Sequence, residues 1–111
     1  MRRTWIVIAI VALALGAGVP QAQESAMPRD ERRTEGSRMF ITQGCYGCHT
    51  LGKLGTPIGP DLSHVGAKYS EATLKTWLRD PARHRPTAHM PQLELTEAQI
   101  ATLAAFLATL E

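Results

Sequence analysis

Cys45, Cys48 and His49 stand in the run Cys45-Tyr46-Gly47-Cys48-His49, and no other stretch of the chain has residue types and spacing better suited to chemistry. Two thiols two residues apart can reach the two vinyl groups of one porphyrin. A histidine directly after the second thiol can supply an axial bond to the same iron. Cys-x-x-Cys-His is accordingly the attachment sequence of a covalently bound c-type haem. Two other uses of Cys-x-x-Cys fit poorly. A thioredoxin-like redox site sits in a βαβ pattern, and the sequence offers no convincing strand. A zinc site needs two further Cys or His at matched spacing, whereas Cys45 and Cys48 are the only cysteines. The run therefore predicts one haem c joined through Cys45 and Cys48, with His49 as an iron ligand.

A chain of 111 residues has room for one domain. Met1-Arg2-Arg3, an apolar run from Trp5 to Val19 and small or polar residues through Gln23 have the profile of a secretory leader. The apolar run is shorter than the ~20 residues that cross a bilayer as a helix. A signal peptide over residues 1–22 is expected, with an uncleaved membrane tether through residues 5–19 as the alternative. The protein is thus expected in the periplasm or another exported location, or anchored at the outer face of the inner membrane. Arg2 and Arg3 account for the whole formal excess of +2; residues 23–111 carry ten basic and ten acidic side chains. That balance gives no footprint for nucleic acid. The charge is nevertheless uneven. Lys53, Lys68, Lys75, Arg79, Arg83 and Arg85 outnumber Asp61, Glu71 and Asp80 in the middle of the chain, while the end carries Glu94, Glu97 and Glu111. Such asymmetry can steer encounter with an acidic partner.

The elements that must position the haem follow in order. Glu24 to Arg33 is polar and reads, with Gln23, as a flexible segment over residues 23–33. Helical spacing begins near Thr34 with Gly36, Met39, Phe40 and Gln43, and Gly44 suits the helix end. Thr50 to Tyr69 is rich in Gly and Pro and reads as loop, a length that needs an organiser such as a haem edge. Ser70 is a good N-cap for a helix carrying Leu74, Trp77 and Leu78 on one stripe and stopped by Pro81. Thr96 and Gln99 form a capping box ahead of Ile100, Leu103, Phe106, Leu107 and Leu110. The expectation is an all-α fold, three to four helices around one haem and no sheet. A sixth iron ligand could come from Met90, Met39, His64, His84 or His89.

These residues resemble the class I c-type cytochromes, the small mono-haem cytochromes c, over residues 34–111. Gly36, Phe40 and the haem cysteines match that family's N-terminal helix. Phe106 takes the place of the C-terminal helix aromatic, which implies N- and C-terminal helices crossing at Gly36. Gly59-Pro60-Asp61-Leu62 resembles the family's Gly-Pro-x-Leu element, which implies that the Pro60 carbonyl accepts a hydrogen bond from the proximal His49 and that Leu62 packs on the ring. The stretch from Pro81 to Met90-Pro91 is in register with the distal segment, which implies Met90 as the second iron ligand and Trp77 as the large aromatic near it. Thr87 and Ala88 depart from the family pattern at the propionates.

The resemblance implies a non-enzymatic single-electron carrier that shuttles electrons between exported or membrane redox partners such as a respiratory complex, an oxidase or a dehydrogenase. It is expected as a monomer or as a subunit of a complex. Two other functions use the same residues: a haem-bearing subunit of a larger oxidoreductase, and a gas-binding or peroxidase-like protein with an open sixth site.

Overall fold

The computed structural model describes residues 27–111; the leader or tether expected over residues 1–22 lies outside them. Among the described residues no helix is long and apolar enough to cross a membrane.

Helix α1, Arg29–Thr42, starts five residues ahead of the Thr34 start that periodicity gave, so Arg29 to Arg33 are helical rather than part of a flexible segment. The reason is electrostatic. This first turn has no side-chain cap and no apolar stripe, but Asp30 and Glu31 lie at the positive end of the helix dipole. Gly44, at φ +77°, ends the helix in the left-handed conformation that glycine adopts without a Cβ penalty. A single 3-10 turn, Cys45–Gly47, follows.

The segment after the haem motif is more regular than its composition suggested. Strands β1 (Thr50–Leu51) and β2 (Leu54–Gly55) pair antiparallel, with Thr50 opposite Gly55 and Leu51 opposite Leu54. This short hairpin corrects the expectation of no sheet. Gly52 at its tip has φ +57°, the backbone that a tight two-residue turn requires. One turn of helix, α2 (Val65–Lys68), follows.

Helix α3, Glu71–Arg79, begins at Ser70, whose hydroxyl accepts from the Thr73 amide. Pro81 opens a further turn, α4 (Pro81–His84), at a position where its missing N–H costs nothing. Residues 85–96 have no helix or strand. Helix α5, Glu97–Leu107, has the capping box complete: Thr96 accepts from Gln99 N–H at 3.2 Å and its own N–H donates to Gln99 Oε1 at 2.9 Å.

The core is a single cluster of Phe40, Val65, Leu74, Leu78, Ile100, Leu103, Ala104, Phe106 and Leu107. Helix α5 is its spine, packed on α1 and on α3. Gly36 is where α1 meets α5. A Cβ there would lie against Phe106 Cβ and 2.7 Å from the Thr102 carbonyl oxygen, so only glycine allows the backbones this close. The Phe40 and Phe106 rings meet edge to face with centroids 6.0 Å apart.

The end of α3 is tied to the start of α5 by a two-pronged ion pair: Arg79 Nε donates to Glu97 Oε1 at 2.9 Å and Nη2 to Oε2 at 2.6 Å. Hydrogen bonding from Arg79 holds the Glu97 carboxyl below its ordinary value of 4.5. A depressed folded value means that the pair contributes fully above that pH and less as the carboxylate is protonated below it. The melting temperature of the wild type should therefore fall more steeply below pH 4.5 than that of Glu97→Gln; parallel curves for the two would dismiss the pair as a contributor.

Candidate haem site

The haem motif occupies the 3-10 turn and the two residues after it. Tyr46 turns inward, its ring edge-on to Phe40 with centroids 4.8 Å apart, which anchors the turn to α1. Backbone bonds tighten it: Gly47 N–H donates to Gly44 O at 2.9 Å and His49 N–H to Cys45 O at 2.9 Å. Neither cysteine is in a disulfide. Cys45 is half-buried against the core and its thiol is pushed upward by that burial, whereas Cys48 is exposed. Burial that disfavours the thiolate lowers the reactivity of Cys45 in the chain before haem is joined.

His49 is held from several sides. Its Nδ1–H donates to the Pro60 carbonyl at 2.7 Å. With the ring proton on Nδ1, the lone pair of Nε2 is left for a metal. Gly59 lies flat against the ring: a Cβ there would be 2.7 Å from His49 Cε1 and 3.0 Å from Nδ1. Gly55, at φ +100°, comes closer still to the His49 backbone, where a Cβ would collide with the carbonyl oxygen. Neither contact with His49, that of Gly59 at the ring and that of Gly55 at the backbone carbonyl, is legible in the sequence. In the sequence Gly59 stands only as part of Gly-Pro-x-Leu, and no local signal says that the side chain it must avoid is ten residues back.

The other residues singled out from the sequence are distributed as follows. Cys45, Leu62 and Met90, from three segments of the chain, are each partly buried and packed against the core cluster. Leu62 is fixed there by its N–H, which donates to Thr50 O at 2.9 Å. Met90 lies in the coil between α4 and α5, half-buried, while its neighbour His89 is exposed. Met39 packs on the core from α1, and His64 is exposed at the N-cap of α2. Trp77 is half-buried on α3, where it stacks on His84 with centroids 5.3 Å apart and planes at 17°. That stack, from α3 to α4, was not legible in the sequence.

The basic side chains of this region are less free than their number suggested. Lys75 Nζ lies 3.7 Å from Glu71 Oε1 and Arg79 is paired with Glu97, which leaves the α4 end, with Arg83 and Arg85, as its most positive part.

This donor set fits haem c. Two thiols stand at the required spacing, an imidazole whose Nδ1 is held by the Pro60 carbonyl follows them, and apolar side chains from three segments pack on the core. Bound there, the haem supplies an iron that changes oxidation state by one electron.

Comparisons with known proteins agree. The chain is 27% identical over 93 residues to cytochrome c oxidase subunit 2 of Alkalihalophilus pseudofirmus, an alignment that takes in 76% of this chain and 27% of that protein. The chain thus spans about a quarter of the length of this curated relative. No solved structure matches it. The family model for cytochrome c matches residues 34–111, about two thirds of the sequence including the motif, the crossing helices and the strap under His49. The chain belongs to the cytochrome c family, as a class I c-type cytochrome with one covalent haem that serves electron transport.

Proposed function

We propose that the protein is a single-electron carrier whose iron is held by His49 Nε2 on one side and Met90 on the other, with no catalytic step of its own. The observation that carries this reading is the 2.7 Å bond from His49 Nδ1–H to Pro60, because a metal-bound imidazole needs such a partner to fix its tautomer and raise its basicity. Among the distal candidates, Met90 combines partial burial against the core with the sequence register that the resemblance gave. His84 is engaged in stacking on Trp77, and His89 faces solvent. Thioether donation from Met90 favours the reduced iron over a second imidazole and so raises the potential. With both axial positions filled, electrons pass without a substrate binding to iron. Leu62 and Trp77 are assigned to the apolar wall around the macrocycle.

The expected result is that the oxidised protein shows the weak long-wavelength band of thioether-ligated ferric haem, that Met90→Leu abolishes it, and that the variant's potential falls. A high-spin spectrum in the untouched protein would overturn the carrier reading in favour of an open site for a gas or a peroxide.

The leader-like N-terminus supports work on the outer side of the inner membrane, in the periplasm or tethered there, between a dehydrogenase or respiratory complex and an oxidase. A second reading is favoured by the similarity to an oxidase subunit: the chain is the electron-entry subunit of a larger oxidoreductase. Co-purification with an oxidase from solubilised membranes supports that assembly; recovery in the periplasmic fraction as a monomer rules it out.

A further inference from the structure

The Pro60 carbonyl meets His49 because the strap Gly59-Pro60-Asp61-Leu62 is pinned on both sides of it. At its start Gly59 N–H donates to Cys48 O, and at its end Leu62 N–H donates to Thr50 O at 2.9 Å. Ser63, one residue beyond, is the junction of a further set of bonds. Its hydroxyl donates to Asp61 Oδ1 at 2.6 Å and accepts from Gly52 N–H at 2.7 Å, while its own N–H donates to Asp61 Oδ1 at 3.0 Å. Gly52 can serve because it sits at the tip of the hairpin, outside the ladder. Asp61 is exposed, yet hydrogen bonds from Ser63, the hydroxyl first, hold its carboxyl below the ordinary range. An ionised carboxylate only accepts, so the single Ser63 hydroxyl proton points to Asp61 and a lone pair is left for Gly52. The relay therefore has one direction, from the hairpin through Ser63 to the strap.

We propose that Ser63 is a positioning residue for electron transfer: oriented by Asp61 and holding Gly52, it fixes the strap so that the Pro60 carbonyl keeps its grip on His49 Nδ1–H. This rests on His49 being an iron ligand. A firm bond to Nδ1–H makes the imidazole a stronger donor, which favours ferric iron and lowers the potential. Without the Ser63 hydroxyl the strap keeps its bond to Thr50 in β1 but loses its tie to the hairpin tip at Gly52; the bond to His49 loosens and the potential rises. Asp61 also carries a negative charge whose removal raises the potential by itself. Ser63→Ala separates the two effects, because it removes the relay and leaves every charge in place.

The test uses the purified holoprotein. In Ser63→Ala the reduction potential is expected to rise and the His49 Nδ1–H, followed by NMR in the reduced protein, to exchange with solvent at least about tenfold faster, as a locally opened bond does. Ser63→Thr, which keeps the hydroxyl, is expected to restore both. Asp61→Asn keeps an acceptor for Ser63 and loses the charge; Asp61→Ala loses both. Fast exchange in Asp61→Ala but not in Asp61→Asn supports the relay, and this pair decides the matter if Ser63→Ala fails to mature. Wild-type exchange and potential in Ser63→Ala, or equal exchange in the two Asp61 variants, would overturn the proposal. Failure of the underlying reading looks different: the wild-type protein itself would lack the strongly shifted His49 ring resonances of an iron-bound imidazole.

Discussion

The Cys45→Ser/Cys48→Ser double variant is expected to emerge with no covalently bound haem and with most of its helical circular dichroism lost at room temperature. The described domain has one core of nine buried apolar residues, and a domain of this length buries too small a fraction of its surface to be robust without a staple. Covalent haem, joined through Cys45 and Cys48, is that staple. Each single variant keeps one thiol and should retain haem through it. Haem staining of a denaturing gel separates the cases: both single variants stain and the double variant does not. A double variant that kept full helicity without haem would show that the protein core suffices alone.

The second large effect lies far from the motif, at the crossing of α1 and α5. Truncating Phe106 to alanine in the holoprotein is expected to cost about 3–5 kcal/mol, the usual range for removing a buried aromatic ring. In a domain of this size each kcal/mol lowers the melting temperature by roughly 4–8 °C, so a fall well beyond 10 °C should be seen. Gly36→Ala tests the same contact from the other side. In an exposed helix that change would gain about 1 kcal/mol of helix propensity. Here the added Cβ runs into Phe106 Cβ and the Thr102 carbonyl; the carbonyl belongs to backbone and cannot turn aside, so the helices must separate. The sign is therefore reversed, and thermal unfolding that gave Gly36→Ala a higher melting temperature than the wild type would refute the close crossing.

These two sites differ in how they can be read from the chain. The haem motif is contiguous. Its chemistry depends on five successive residues, so spacing alone determined the cofactor, the two attachment points and the imidazole. The starts of α3 and α5 were legible for the same reason: Ser70 reaches Thr73, and Thr96 and Gln99 bond reciprocally, all within one turn. The start of α1 was missed because it rests on dipole electrostatics rather than on an apolar stripe or a cap.

Contacts between segments are another matter. The resemblance supplied the meeting of Gly36 with Phe106 and of His49 with Pro60, but residue types alone could not have matched partners so far apart. Neither source gave the bond between Gly52 and Ser63, the ion pair between Arg79 and Glu97, or the stack of Trp77 on His84. Each of these needs two stretches that turns have already brought together, and a turn's composition says that the chain reverses without saying against what it comes to rest. The loop from Thr50 to Tyr69 makes the point most plainly. Its glycines and prolines suggested a coil waiting for a haem edge, whereas the hairpin, the Asp61 to Ser63 turn and the bonds to Cys48 and Thr50 already give it a defined path. The sequence by itself determined what is bound and which atoms can bind it, because those atoms are neighbours along the chain. Only the tertiary structure decided how His49 is held, because the groups that hold it arrive from the hairpin and the strap, and their approach depends on glycines whose value lies in the side chain they lack.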